Sequence, residues 1–178
     1  MKLGLGMACA AAIAASTALT APALAQDKVS LVVNTVQIFG TIDPAKVNDY
    51  TEYMAAVNLY DGLTTVSPEG QVVPQLAESW EVSDDSKTYT FKLKQGATFQ
   101  DGSPVEAKDV VYTMKRLLAL NEGPSYLFAD LIDPDAVKAV DDMTVEITLN
   151  KVYSPFLTNT PLILVVNSDL LAEQDGEW

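Results

Sequence analysis

Within residues 58–116 the hydrophobic period of the chain changes from two to about 3.6, and no other stretch constrains the fold as tightly. Trp80 and Val82 alternate with Glu81, while Tyr89, Phe91 and Leu93 alternate with Thr90 and Lys92, so each run has one apolar and one wet face. The polar Asp84-Asp85-Ser86 between them predicts a hairpin. Val110, Val111, Met114, Leu117 and Leu118 then recur at three- and four-residue steps, which predicts a helix over residues 107–120. A hairpin cannot bury its apolar face by itself, and the helix supplies the cover.

The same reading extends along the chain. Residues 28–33 are apolar and β-branched, which predicts a first strand, and a turn follows at residues 40–44. From Asp49 to Tyr60 the spacing of Tyr50, Tyr53, Met54, Val57 and Tyr60 predicts a helix with those residues on its buried face, stopped by Asp61-Gly62. Ser67-Pro68-Glu69-Gly70 predicts a turn before a very short strand at Val72-Val73. A second hairpin is expected from residues 137–140, the Asp141-Asp142 turn and residues 144–149. Residues 121–128 read as a loop carrying Gly123-Pro124, residues 162–166 as an apolar β-type run, and Asp169 onward as another helix. Glu106 stands where Ser, Thr or Asp would cap the 107–120 helix better, although Asp109 in its first turn favours the macrodipole.

The N-terminus carries Lys2, an uncharged run of small and apolar residues to Leu24, and Ala23-Leu24-Ala25 before Gln26. This predicts a secretory signal peptide over residues 1–25, cleaved to leave residues 26–178, which are enough for one domain. The single cysteine, Cys9, lies inside that leader, so the remaining chain has no thiol for disulfides, catalysis or metal binding. The net charge of −13 becomes more negative once Lys2 is removed. Such a chain repels phosphate backbones, and the scattered Lys108, Lys115 and Arg116 make no basic stripe, so no nucleic-acid partner is expected.

Catalytic chemistry has little to work with. The chain contains no histidine, which removes the commonest general base and the Ser-His and Cys-His pairs. Its glycines are dispersed at turns and build no phosphate cradle. The carboxylate pairs Asp84-Asp85, Asp133 with Asp135, and Asp141-Asp142 could serve acid–base or calcium chemistry. Each falls where a turn favours Asp, and none has calcium-loop spacing, so the structural role is preferred. No catalytic residue, metal ligand or cofactor is therefore assigned. Trp80, Tyr89, Phe91 and Phe99 lie at strand spacing and suit a core; Tyr126 and Phe128 sit in a loop where no pattern demands them.

Taken in order, several blocks spell a family. Asn58-Leu59-Tyr60-Asp61-Gly62-Leu63, Pro74-Gln75-Leu76-Ala77-Glu78-Ser79-Trp80, Thr88-Tyr89-Thr90-Phe91-Lys92-Leu93, Phe99-Gln100-Asp101-Gly102-Ser103-Pro104 and Asp109-Val110-Val111-Tyr112 resemble the extracellular solute-binding proteins of family 5. These are the peptide, oligopeptide and nickel-type receptors of ABC importers. Ala139-Val140-Asp141-Asp142 and Tyr153-Ser154-Pro155-Phe156-Leu157 continue the match. The resemblance implies an α/β, periplasmic-binding-protein-like fold of the two-lobe type II, of which this chain carries part of lobe I. A complete member would continue past Trp178, so residues 26–178 are expected to be a truncated N-terminal portion.

The resemblance further implies that residues 37–42, including Ile38, Phe39 and Gly40, line lobe I's side of the ligand cleft. Asp49 and Tyr50 at the start of the next helix, and the loop at Tyr126, are expected to join them. The expected function is the periplasmic substrate-binding component of an ABC importer, taking a peptide or other small solute and docking on an inner-membrane permease as a monomer. The alternatives are an exported carboxylate-dependent hydrolase, or a non-functional fragment or interaction module.

Overall fold

Alternation in the sequence becomes a two-faced sheet. The computed structural model describes residue 32 and residues 40–175, and its elements belong to the unit that begins at Thr35. In chain order they are α1 (Tyr50–Ala56), β1 (Thr64–Val66), β2 (Val72–Pro74), β3 (Ala77–Val82), β4 (Thr88–Leu93) and α2 (Ala107–Leu120). There follow β5 (Ile132–Asp141), β6 (Thr144–Leu149), α3 (Phe156–Asn159) and α4 (Ser168–Asp175), with short 3-10 turns at Gly123–Leu127 and Thr160–Leu162. The expected signal peptide and the expected strand at residues 28–33 lie outside the described residues, apart from Val32.

The larger sheet has the order β3-β4-β6-β5 and all its pairings are antiparallel; β1 and β2 pair separately. Register sets Trp80 beside Phe91, Phe91 beside Val145, and Ile147 between Tyr89 and Val137, which makes one face apolar. Across the other face run Glu81, Thr90, Glu146 and Lys138. The apolar face is covered by α2 through Val110, Met114 and Leu117, all buried. Phe128 and Phe156 close the core in edge-on contact, and Phe156 also packs on Tyr89 with ring centroids 4.6 Å apart. Truncating a buried Phe of this kind to Ala costs about 3–5 kcal/mol, so these rings anchor the layer.

Both expected hairpins form, and α2 has the bounds read from its period. Its start is better held than Glu106 suggested, because the Glu106 N–H donates to the Asp109 carboxylate at 2.8 Å. The other oxygen of Asp109 accepts the Ser168 N–H and hydroxyl, tying the start of α4 to that of α2.

Other expectations need correcting. The helix expected over residues 49–60 ends at Ala56 and presents a different face: Tyr50 is 76% exposed and Met54 45%, whereas Thr51, Glu52 and Ala56 are buried. The cause is Glu52, whose carboxylate accepts backbone N–H groups from the preceding loop and draws its own side of the helix inward. β1 was not foreseen, and β5 begins at Ile132, upstream of the expected Val137, with an irregular register around Pro134. Residues 162–166 form no strand; Ile163, Leu164, Val165 and Val166 are buried, and the segment meets the chain at Gly62 through one isolated bridge with Leu164.

Candidate functional site

The loop leading into α1 is fixed from several directions. Glu52, 5% exposed, accepts the N–H groups of Gly40, Thr41 and Asn48 at 2.9, 3.1 and 3.1 Å. Asp43 accepts the Ala45 N–H and pairs with Arg116 of α2. Asp49 caps α1 by accepting the Glu52 N–H at 2.9 Å. On the other wall, Gly123 has φ +48°, and a Cβ there would lie 2.8 Å from the carbonyl oxygens of both Ala45 and Val47. Only glycine lets the turn carrying Tyr126 approach the Pro44 loop this closely.

Between these walls is a groove of about 420 Å³ whose lining includes Pro44, Asn48, Asp49, Tyr50, Tyr126 and Leu164. Tyr50 and Tyr126 are each 76% exposed, so their rings stand free at its margin. Tyr53 also lines it, and partial burial pushes its phenol pKa up.

Of the residues expected at a ligand site, the structure thus gathers Asp49, Tyr50 and Tyr126 around one groove. Gly40 does not line it; its N–H donates to Glu52. Ile38 and Phe39 lie outside the described residues. Sequence reasoning passed over Glu52, Arg116 and Gly123, which build the walls. Gly123-Pro124 was a visible loop signal, whereas Glu52 carried none, because an acid in an amphipathic helix reads as solvated.

A larger groove, about 910 Å³, is lined by Ile42, Tyr60, Phe99, Gln100 and Asn167 among others. Three of its amide side chains are engaged within the protein: Gln75 bonds Asp61 and Gly62, Gln100 bonds the Leu59 carbonyl, and Asn167 bonds Asp101 and Ser103. That leaves it fewer groups to offer a ligand than its size suggests.

The acidic pairs do turn work. Asp85 accepts the Lys87 N–H, Asp133 that of Asp135, and Asp141 that of Met143, each two residues ahead. Lys108, Lys115 and Arg116 face Asp169, Asp135 and Asp43 respectively.

Comparison with known proteins identifies the family. The model for bacterial extracellular solute-binding proteins, family 5 Middle, matches residues 71–177. This chain belongs to family 5. The probable deoxycholate-binding periplasmic protein YgiS of Escherichia coli K12 is 32% identical over 157 residues, covering 78% of this chain and 29% of YgiS. The periplasmic oligopeptide-binding protein OppA of Salmonella typhimurium is 35% identical over 158 residues, covering 79% of this chain and 29% of OppA. Among solved structures, Listeria monocytogenes OppA bound to peptide superposes with a TM-score of 0.69 at 28% identity, covering 75% of this chain and 30% of that one. The family 5 chain described here thus spans under a third of the length of these relatives, and the expected periplasmic-binding-protein fold is the one its structural neighbours adopt.

Proposed function

We propose that this chain supplies part of the ligand-contacting surface of a periplasmic receptor for an ABC importer, with a peptide or similar small solute as ligand. The observation that carries the reading is the groove lined both by Asp49 and Tyr50 and by Tyr126, more than seventy residues further along the chain. Exposed tyrosines at the start of α1 and on the Gly123–Leu127 turn suit such a role, because each ring offers a large amphipathic contact at little entropic cost. The names of the relatives support it: they are binding proteins, several for peptides. In this reading residues 1–25 direct secretion and are removed, and the mature receptor works as a monomer and not as an enzyme. Ligand bridging two lobes shifts the population from open to closed, and the closed form engages the inner-membrane permease.

The test is calorimetric titration of the gene product, read from its full open reading frame, with pools of di- to hexapeptides and with non-peptide solutes. Saturable binding of a peptide pool is the expected result. Binding of none of the pools, with turnover of an ester or glycoside by the same preparation, would move the protein into the hydrolase class.

A further inference from the structure

The groove carries a chemical bias that its place in a receptor does not by itself supply. Among the described residues lining it there is no Lys and no Arg, and the single acidic side chain is Asp49. Arg116 does not compensate: its side chain is 6% exposed and its terminal nitrogens face Asp43. Lys46, on the same loop, is not among the lining residues. Apart from Asn48 and the tyrosine hydroxyls, which are uncharged, the remaining surface is aromatic, proline, glycine and aliphatic. The negative faces of Tyr50 and Tyr126 attract cations and apolar groups and disfavour anions. A ligand carboxylate entering here would lose water and gain no counter-charge.

We propose that the part of the ligand seated in this groove is an apolar or aromatic group that is neutral or positively charged, an amine-bearing end or a hydrophobic side chain, and not a carboxylate. This rests on the groove being a ligand surface, as proposed above. Asp49 is the positioning charge. One of its oxygens caps α1, and the carboxylate contributes its negative charge to the groove that it lines.

Three matched probes test it: benzylammonium, phenylacetamide and phenylacetate, titrated into the purified chain while the ring NMR signals of Tyr50 and Tyr126 are followed. Benzylammonium and the amide are expected to move both rings, with benzylammonium half-saturating at a concentration about tenfold below that of phenylacetate. Asp49→Asn keeps the cap, since Asn caps as well as Asp, and is expected to shrink that gap to about threefold or less. Phenylacetate binding as tightly as benzylammonium would overturn the charge assignment and leave the groove as a ligand surface. An unchanged gap in Asp49→Asn would remove Asp49 from the role. If no probe moves either ring, both the assignment and the groove reading fall.

Discussion

Arg116 turns its two terminal guanidinium nitrogens onto the two carboxylate oxygens of Asp43, each at 2.8 Å, and so fastens α2 to the loop ahead of α1. The pairing is bidentate, which fixes direction as well as distance. Only 6% of the Arg116 side chain and 25% of the Asp43 side chain meet solvent. Through this contact the helix that covers the sheet also sets one wall of the groove.

The pair makes stability depend on pH. Burial alone would push the Asp43 carboxyl up, but the hydrogen bonds from Arg116 and the Ala45 N–H, with the charges of Arg116 and Lys46, outweigh it and hold the pKa below the ordinary value. A carboxyl depressed on folding contributes stability that is full above its unfolded pKa of about 4 and is lost as pH falls through the folded value. Asp43→Asn is expected to lower the unfolding free energy by about 1–3 kcal/mol at pH 7, with the gap to the parent chain closing towards pH 2. Urea titrations across that range measure it; a gap that does not vary with pH would assign the loss to packing.

Glu52→Gln tests the second fastening. The carboxylate accepts three backbone N–H groups, and a Gln would offer one oxygen and turn an NH2 group towards a donor. The expected cost is about 2–3 kcal/mol, since hydrogen bonds to a buried charge are the strong kind. Amide hydrogen exchange locates it: Gly40, Thr41 and Asn48 should exchange faster than in the parent chain while the amides in the middle of α2 stay protected.

The contrast between α2 and α1 shows where the sequence is legible. In α2 the apolar stripe of Val110, Met114 and Leu117 faces a large apolar sheet, so burial follows period and the bounds come out as read. In α1, only seven residues long, a single buried carboxylate outweighs the aromatic stripe, and Tyr50 and Met54 turn to solvent. Polar satisfaction of a loop backbone leaves no periodic trace. The same holds for Gly123, whose role depends on carbonyls of Ala45 and Val47 far away in sequence. The loop pattern alone does not tell Tyr126 from Phe128: Phe128 is fully buried and Tyr126 is exposed, and only the family resemblance singles out Tyr126.

Gly123→Ala is expected to destabilise by about 1–3 kcal/mol, because the new Cβ meets two carbonyl oxygens at 2.8 Å and the φ of +48° disfavours a side chain. Gly70→Ala is the control: its φ is +80° but nothing lies within 4 Å of the added carbon, so it carries the backbone term alone. Thermal unfolding of both variants separates clash from strain, and equal losses would show that the close approach contributes nothing.

Tyr50 and Tyr126 should separate stability from binding. Both side chains are largely exposed, so Tyr50→Ala and Tyr126→Ala are each expected to change the unfolding free energy by no more than about 0.5 kcal/mol. For a solute identified by titration, each truncation is expected to weaken affinity by about 1–2 kcal/mol, within the range for an aromatic contact at a binding surface. If the two rings contact one bound group, the double variant will lose less than the sum of the single ones, since the first truncation already frees the group that the second would release. Strictly additive losses would instead mean that the tyrosines hold separate parts of the ligand, and unchanged affinity in both single variants would remove the groove from the binding surface.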